Sequence, residues 1–214
     1  MIGVCMRVKT LVAAVLLAGA ATMAQAAEFP IGKPLNTAGM EINTVYLQPI
    51  TMEPAGMMRD AAKSDIHLEA DIHAIKNNPN GYAEGDWIPN LEITYKLQKM
   101  KSDGKTPDGA AIEGLMMPMV AIDGPHYGDN VKLNGVGKYQ LTMVVNAPGT
   151  LKEFGCVADK NAKPMAGGHM DHGGLGPWCF GRHVDKETGV NPWFKPITKV
   201  VDFTFATVGK KGGY

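Results

Sequence analysis

Ile66-His67-Leu68-Glu69-Ala70-Asp71-Ile72-His73 alternates apolar and polar residues without a break. A strict period of two marks a β-strand with one buried face, because successive side chains leave the pleat on opposite sides. Ile66, Leu68, Ala70 and Ile72 are expected to face a core, leaving His67, Glu69, Asp71 and His73 together on the other face. Side chains two positions apart lie roughly 6–7 Å from each other, so His67 and Glu69 can share one metal ion or hold two adjacent ones. A solvated strand face has the same pattern, and the string alone leaves both readings open.

The alternation recurs on either side of this string. Leu91, Ile93, Tyr95 and Leu97 make one apolar face, Tyr139, Leu141, Met143 and Val145 another, and Val201, Phe203 and Phe205 a third. Segments near 42–52 and 112–122 also read as strands, and no stretch has a convincing helical period. Turn signals separate them at Asn77-Asn78-Pro79-Asn80-Gly81, Ser102-Asp103-Gly104, Asp123-Gly124-Pro125 and Ala147-Pro148-Gly149. Short strands at this spacing predict an all-β fold, an antiparallel β-sandwich. Lys160 to Gly181 departs from the pattern: Gly, Pro, His and Met dominate, and it reads as a long loop inserted over about 156–181.

The N-terminus carries an address. Arg7 and Lys9 precede an apolar run from Leu11 to Ala21, and Ala24-Gln25-Ala26 supplies a signal-peptidase pattern, so residues 1–26 are expected to be cleaved on export to the periplasm. The remaining 27–214 are expected to form one domain. No later stretch is apolar over the length a membrane helix needs, so no membrane insertion is expected. Cys5 leaves with the signal; Cys156 and Cys179 remain. In an oxidising compartment they are expected to pair, which would stabilise the fold by roughly 3 kcal/mol. Two thiolates on copper are the alternative. Lys plus Arg and Asp plus Glu both total 21, giving no basic stripe for nucleic acid.

Two further clusters carry candidate ligands. Met116-Met117-Pro118-Met119 and His126 flank the Asp123-Gly124-Pro125 reversal, which can bring the Met119 thioether to the His126 imidazole. Thioether with imidazole favours copper, whereas carboxylate with imidazole also suits iron or manganese, at the same site or an adjacent one. His183 stands in a charged stretch, Arg182-His183-Val184-Asp185-Lys186-Glu187, that is equally an exposed loop.

These strings together resemble the FetP-type family of dimeric periplasmic copper-binding proteins linked to high-affinity iron uptake. The resemblance rests on Tyr46-Leu47-Gln48-Pro49-Ile50, Met52-Glu53-Pro54, Gly56-Met57-Met58, His67 to His73, Met119 to His126, and Arg182 to Phe194. It implies an immunoglobulin-like sandwich and a copper site near a homodimer interface. By resemblance, His67, Met119 and His126 are copper ligands from one subunit and His183 is donated by the partner. Glu69 resembles the carboxylate that lets copper occupy a neighbouring position. The expected partner is an inner-membrane iron permease system.

The chain departs from the shorter family pattern around Cys156 to Cys179, where His169, Met170 and His172 lie in the insertion. They belong either to a metal-recruiting arm or to a solvent-exposed loop. The same ligands would also serve copper buffering or delivery with no part in iron. No Gly-x-Ser-x-Gly elbow or His-Glu-x-x-His helix is present, so no enzyme is expected; copper-dependent ferrous oxidation is the form that catalysis would take.

Overall fold

The computed structural model describes residues 27–154 and 180–207. The expected leader, the expected pairing of Cys156 with Cys179 and the His169, Met170 and His172 string lie outside these residues. The described chain is all-β, with strands β1 (Phe29–Pro30), β2 (Leu35–Thr37), β3 (Met40–Leu47), β4 (Ile66–Ala74), β5 (Glu92–Met100), β6 (Ile112–Ala121), β7 (Gly124–Val131), β8 (Gly137–Asn146) and β9 (Ile197–Phe205). Every pairing is antiparallel, in the order β1-β3-β4-β7-β6-β5-β8-β9, with β2 also on β3. Among the described residues no helix is long and apolar enough to cross a membrane.

The sheet curls on itself through β6. Residues Ile112 to Met116 pair with β5, and Met117 to Ala121 pair with β7, so one strand passes from one layer of the sandwich to the other. Met116, at the crossing, is wholly buried. Far along the order, β9 meets β3 again through side chains. The Lys199 ammonium donates to the Ile42 carbonyl (3.2 Å) and to Thr44 Oγ1 (2.9 Å), and the Tyr46 ring packs against Phe203 and Phe205. Burial pushes the Lys199 amine downward from its ordinary pKa.

The alternating faces fill the core as expected. Ile66, Leu68, Ala70 and Ile72 of β4, Leu91, Ile93, Tyr95 and Leu97 on β5 and just before it, and Tyr139, Leu141, Met143 and Val145 of β8 belong to one hydrophobic cluster. Burying side chains of this kind stabilises the fold by about 1.5–3 kcal/mol each. On β9, Val201 and Phe203 are only half-buried and pack against the rim of that cluster.

Two details differ from the sequence reading. Strand β3 ends at Leu47, and the chain from Gln48 to Asp65 is a long connection without strand pairing. Residues Gly124 to Val131, of which only the Asp123-Gly124-Pro125 turn was expected, form strand β7 between β4 and β6. Its Gly, Pro, Asp and Asn content disguises a strand, since those residues are depleted in sheets. Tertiary pairing on both sides overrides that propensity.

Tyr127 ties β7 to the chain before β5. Its hydroxyl donates to the Ile88 carbonyl (2.7 Å) and accepts the Leu91 N–H (2.9 Å), all buried. Tyr127→Phe is expected to leave both backbone groups unpaired and to lower stability by about 1–3 kcal/mol, measured as a drop in the urea midpoint. No shift would mean that the backbone finds other partners.

Candidate metal centre

Strand register sets the site. His67 of β4 lies opposite Asn130 of β7, and Glu69 lies opposite Gly128. On the far side of β7, Gly128 faces Met117 and His126 faces Met119 of β6. Directly opposed residues in an antiparallel pair send their side chains to the same face, with Cβ atoms about 4.5–5.5 Å apart. His67, Glu69, His126 and Met119 therefore share the outer face of one layer.

That face is not solvated. His67 is wholly buried, Glu69 and His126 are 5% and 4% exposed, and Met119 is 9% exposed. Part of the cover is the connection after β3, pinned by Asn130. The Asn130 amide donates to the carbonyls of Ile50 and Arg59 (2.8 Å each), and its oxygen accepts the Ile50 N–H (3.1 Å).

The same oxygen lies 3.2 Å from His67 Nδ1. Because both amide hydrogens are committed elsewhere, the oxygen can only accept, so Nδ1 carries the hydrogen and Nε2 keeps its lone pair. His67 Nε2 and His126 Nε2 are both buried without a hydrogen-bond partner. A buried ring nitrogen left unpaired is costly and calls for an unfilled partner. One ligand atom each from His67, Glu69 and His126 can be chosen so that all lie within 4.8 Å of one another. The two rings meet edge to face with centroids 5.9 Å apart.

The electrostatics suit a cation. Burial, offset in part by the Asn130 bond, lowers the His67 pKa to about 4, and burial also lowers that of His126 against the pull of Asp71. Both rings are neutral at pH 7, the form that ligates metal. Burial first, and then the charges of Asp71, Glu28 and Asp123, raise Glu69 to about 8. Glu69 Oε1 stands 3.5 Å from His126 Nδ1, and both groups are pushed toward neutrality, so the contact is not a strong ion pair. A metal ion would reverse this by stabilising the carboxylate. Two imidazoles, a carboxylate and an adjacent thioether are a donor set that fits copper.

His183 does not join this cluster within one chain. It is exposed, and its ring contacts the carboxylate of Asp185 and lies 3.4 Å from Thr188 Oγ1. Sequence reasoning missed Gly128 and Asn130. A Cβ placed on Gly128 would lie 2.3 Å from His67 Nε2, so the bare glycine leaves the space the ring occupies. The missed signal was the spacing of His126, Gly128 and Asn130, alternate residues that share a face once 124–131 is a strand.

A family model described as Fe2+ transport protein matches residues 25–207. A UPF0423 protein of Brucella abortus is 52% identical over 191 residues, 89% of this chain and 88% of the relative. Among solved structures, copper-reconstituted P19 protein from Campylobacter jejuni is 43% identical with a TM-score of 0.66, covering 86% of this chain and 99% of that one. A copper-bound variant of FetP from uropathogenic Escherichia coli strain F11 is 40% identical with a TM-score of 0.65, covering 85% and 99%.

Proposed function

The chain belongs to the Fe2+ transport protein family, and on that premise we propose that it is a periplasmic copper-binding protein that assists high-affinity iron transport. The observation that carries this reading is the gathering of one ligand atom each from the buried His67, Glu69 and His126 within 4.8 Å of one another, with the Nε2 atoms of both rings lacking a hydrogen-bond partner. The copper in the solved relatives P19 and FetP supports the choice of metal. Met119 is the soft donor and Glu69 the anionic one. In a homodimer, His183 of the second copy completes the set, giving up its exposed contacts with Asp185 and Thr188. Asn130 holds His67 in the ligating tautomer, a support whose loss typically weakens a metal site by about 10–100-fold.

Iron enters as cargo. Glu28, Asp71 and Asp123 all act electrostatically on Glu69, so the copper site borders a group of hard oxygen donors of the kind that suits ferrous iron. The chain would hand iron to an inner-membrane permease, with residues 1–26 serving as its export signal.

The test is direct. Metal-free protein titrated with Cu(II) is expected to bind a tight equivalent per chain, lost in both His67→Ala and His126→Ala. His183→Ala is expected to weaken copper binding and to alter its spectrum without unfolding the chain. Copper binding undiminished by loss of both buried imidazoles would refute the site. Growth of a deletion strain separates the roles: failure under iron starvation supports assistance to iron transport, whereas failure under copper stress alone would replace it with copper buffering.

A further inference from the structure

Met52, Met57 and Met58 lie within seven residues of one another on the connection between β3 and β4, and none belongs to the hydrophobic core. Met52 and Met58 are half-buried and Met57 is 45% exposed. The chain reverses between them at Gly56, whose φ of 89° is the left-handed conformation that glycine adopts without strain. The reversal brings Met52 and Met58 to the wall of one small cleft of about 240 Å³, bordered also by Ile50, Arg59 and Asp60.

We propose that the Met52 and Met58 thioethers on this cleft, joined by the exposed Met57 next to Met58 in the chain, form a second metal site, selective for Cu(I), which captures the ion for the His67 centre. Thioether sulfur is neutral, soft and carries no proton, so it holds Cu(I) and discriminates against the harder Fe(II), Zn(II) and Cu(II). Methionine is also flexible enough to close around an ion from a loop. Ile50 and Arg59, which border the cleft, are the two residues whose backbone Asn130 grips, and the Asn130 oxygen holds the His67 ring. A single side chain therefore links the thioether cleft to the buried imidazole. The arrangement allows Cu(I) to be selected by softness at the surface and passed inward with no change of oxidation state. The inward step rests on the copper reading of the His67 centre; the thioether site itself does not.

The experiment uses the full mature chain without oxygen, with Cu(I) supplied against a competing chelator. In the His67→Ala/His126→Ala double variant, Cu(I) is expected to bind with a sulfur-only first shell by X-ray absorption. Adding Met52→Leu, Met57→Leu and Met58→Leu should abolish that binding. Should the double variant not fold, the triple methionine variant of the otherwise unchanged chain gives the same answer: Cu(I) capacity falls by a full equivalent while Cu(II) affinity stays the same. Absence of sulfur-ligated copper, or its survival after the three methionines are replaced, would overturn the proposal. Failure of the His67 centre would show separately, as an unchanged chain that does not bind Cu(II).

Discussion

Gly128→Ala is expected to weaken copper binding by about 100-fold although it removes no ligand. The new methyl would lie 2.3 Å from His67 Nε2 and 2.6 Å from Cε1, inside any contact real atoms adopt, and 3.1 Å from the Leu68 carbonyl oxygen. The ring is wholly buried and held at Nδ1 by Asn130, so its displacement breaks that bond and moves the imidazole out of its place beside Glu69 and His126. Overpacking of this kind lowers stability by about 1–3 kcal/mol. The two effects can be told apart. Removing the ring in Gly128→Ala/His67→Ala should restore most of the stability and none of the copper affinity. Isothermal titration with Cu(II) and urea unfolding of the two variants measure this, and wild-type copper affinity in Gly128→Ala would show that His67 does not ligate from its present position.

The second large effect is a pH dependence that copper removes. Burial and neighbouring carboxylates raise Glu69 to about 8 from an ordinary 4.5. The folded state therefore holds this proton more tightly than the unfolded chain, a contribution complete below pH 4.5 and lost as pH rises toward 8. His67 acts with the opposite sign. Its pKa falls from 6.5 to about 4, so its contribution is complete above pH 6.5 and lost as pH falls toward 4. Between pH 4.5 and 6.5 the two slopes oppose each other. Above 6.5 His67 has finished titrating whereas Glu69, acting with its neighbour Asp71, has not, and the metal-free protein should lose stability up to pH 8, by about 2 kcal/mol at 1.36 kcal/mol per unit. That corresponds to a fall in Tm of roughly 5 °C. Glu69→Gln should flatten this limb, and copper should flatten it too, because a ligated carboxylate has already given up its proton. A Tm series on metal-free, copper-loaded and Glu69→Gln protein checks this; an unchanged slope in the variant would place the proton elsewhere.

Both effects depend on features unequally visible in the sequence. The period-two strings around β4, β5 and β8 specify strands and their core faces, because a half-buried strand needs no distant information to declare which side is apolar. His67 and Glu69 were legible as candidate ligands by the same alternation, Met119 and His126 by the reversal between them, and all four by resemblance. Strand β7 was not, since Pro125, Gly128, Asp129 and Asn130 are poor strand formers held in register by β4 and β6. Gly128 and Asn130 disappeared with it.

By itself, then, the sequence determined an all-β antiparallel chain whose β4 string places four polar side chains on one face, because backbone alternation is a local property. Tertiary structure alone decided that the His67 and Glu69 end of this face is buried, that His126 stands beside them, that a missing Cβ makes room for the His67 ring, and that an amide sets its tautomer. Each of these depends on which strand lies next to which and on what covers them, relations between residues some sixty positions apart that no local pattern encodes.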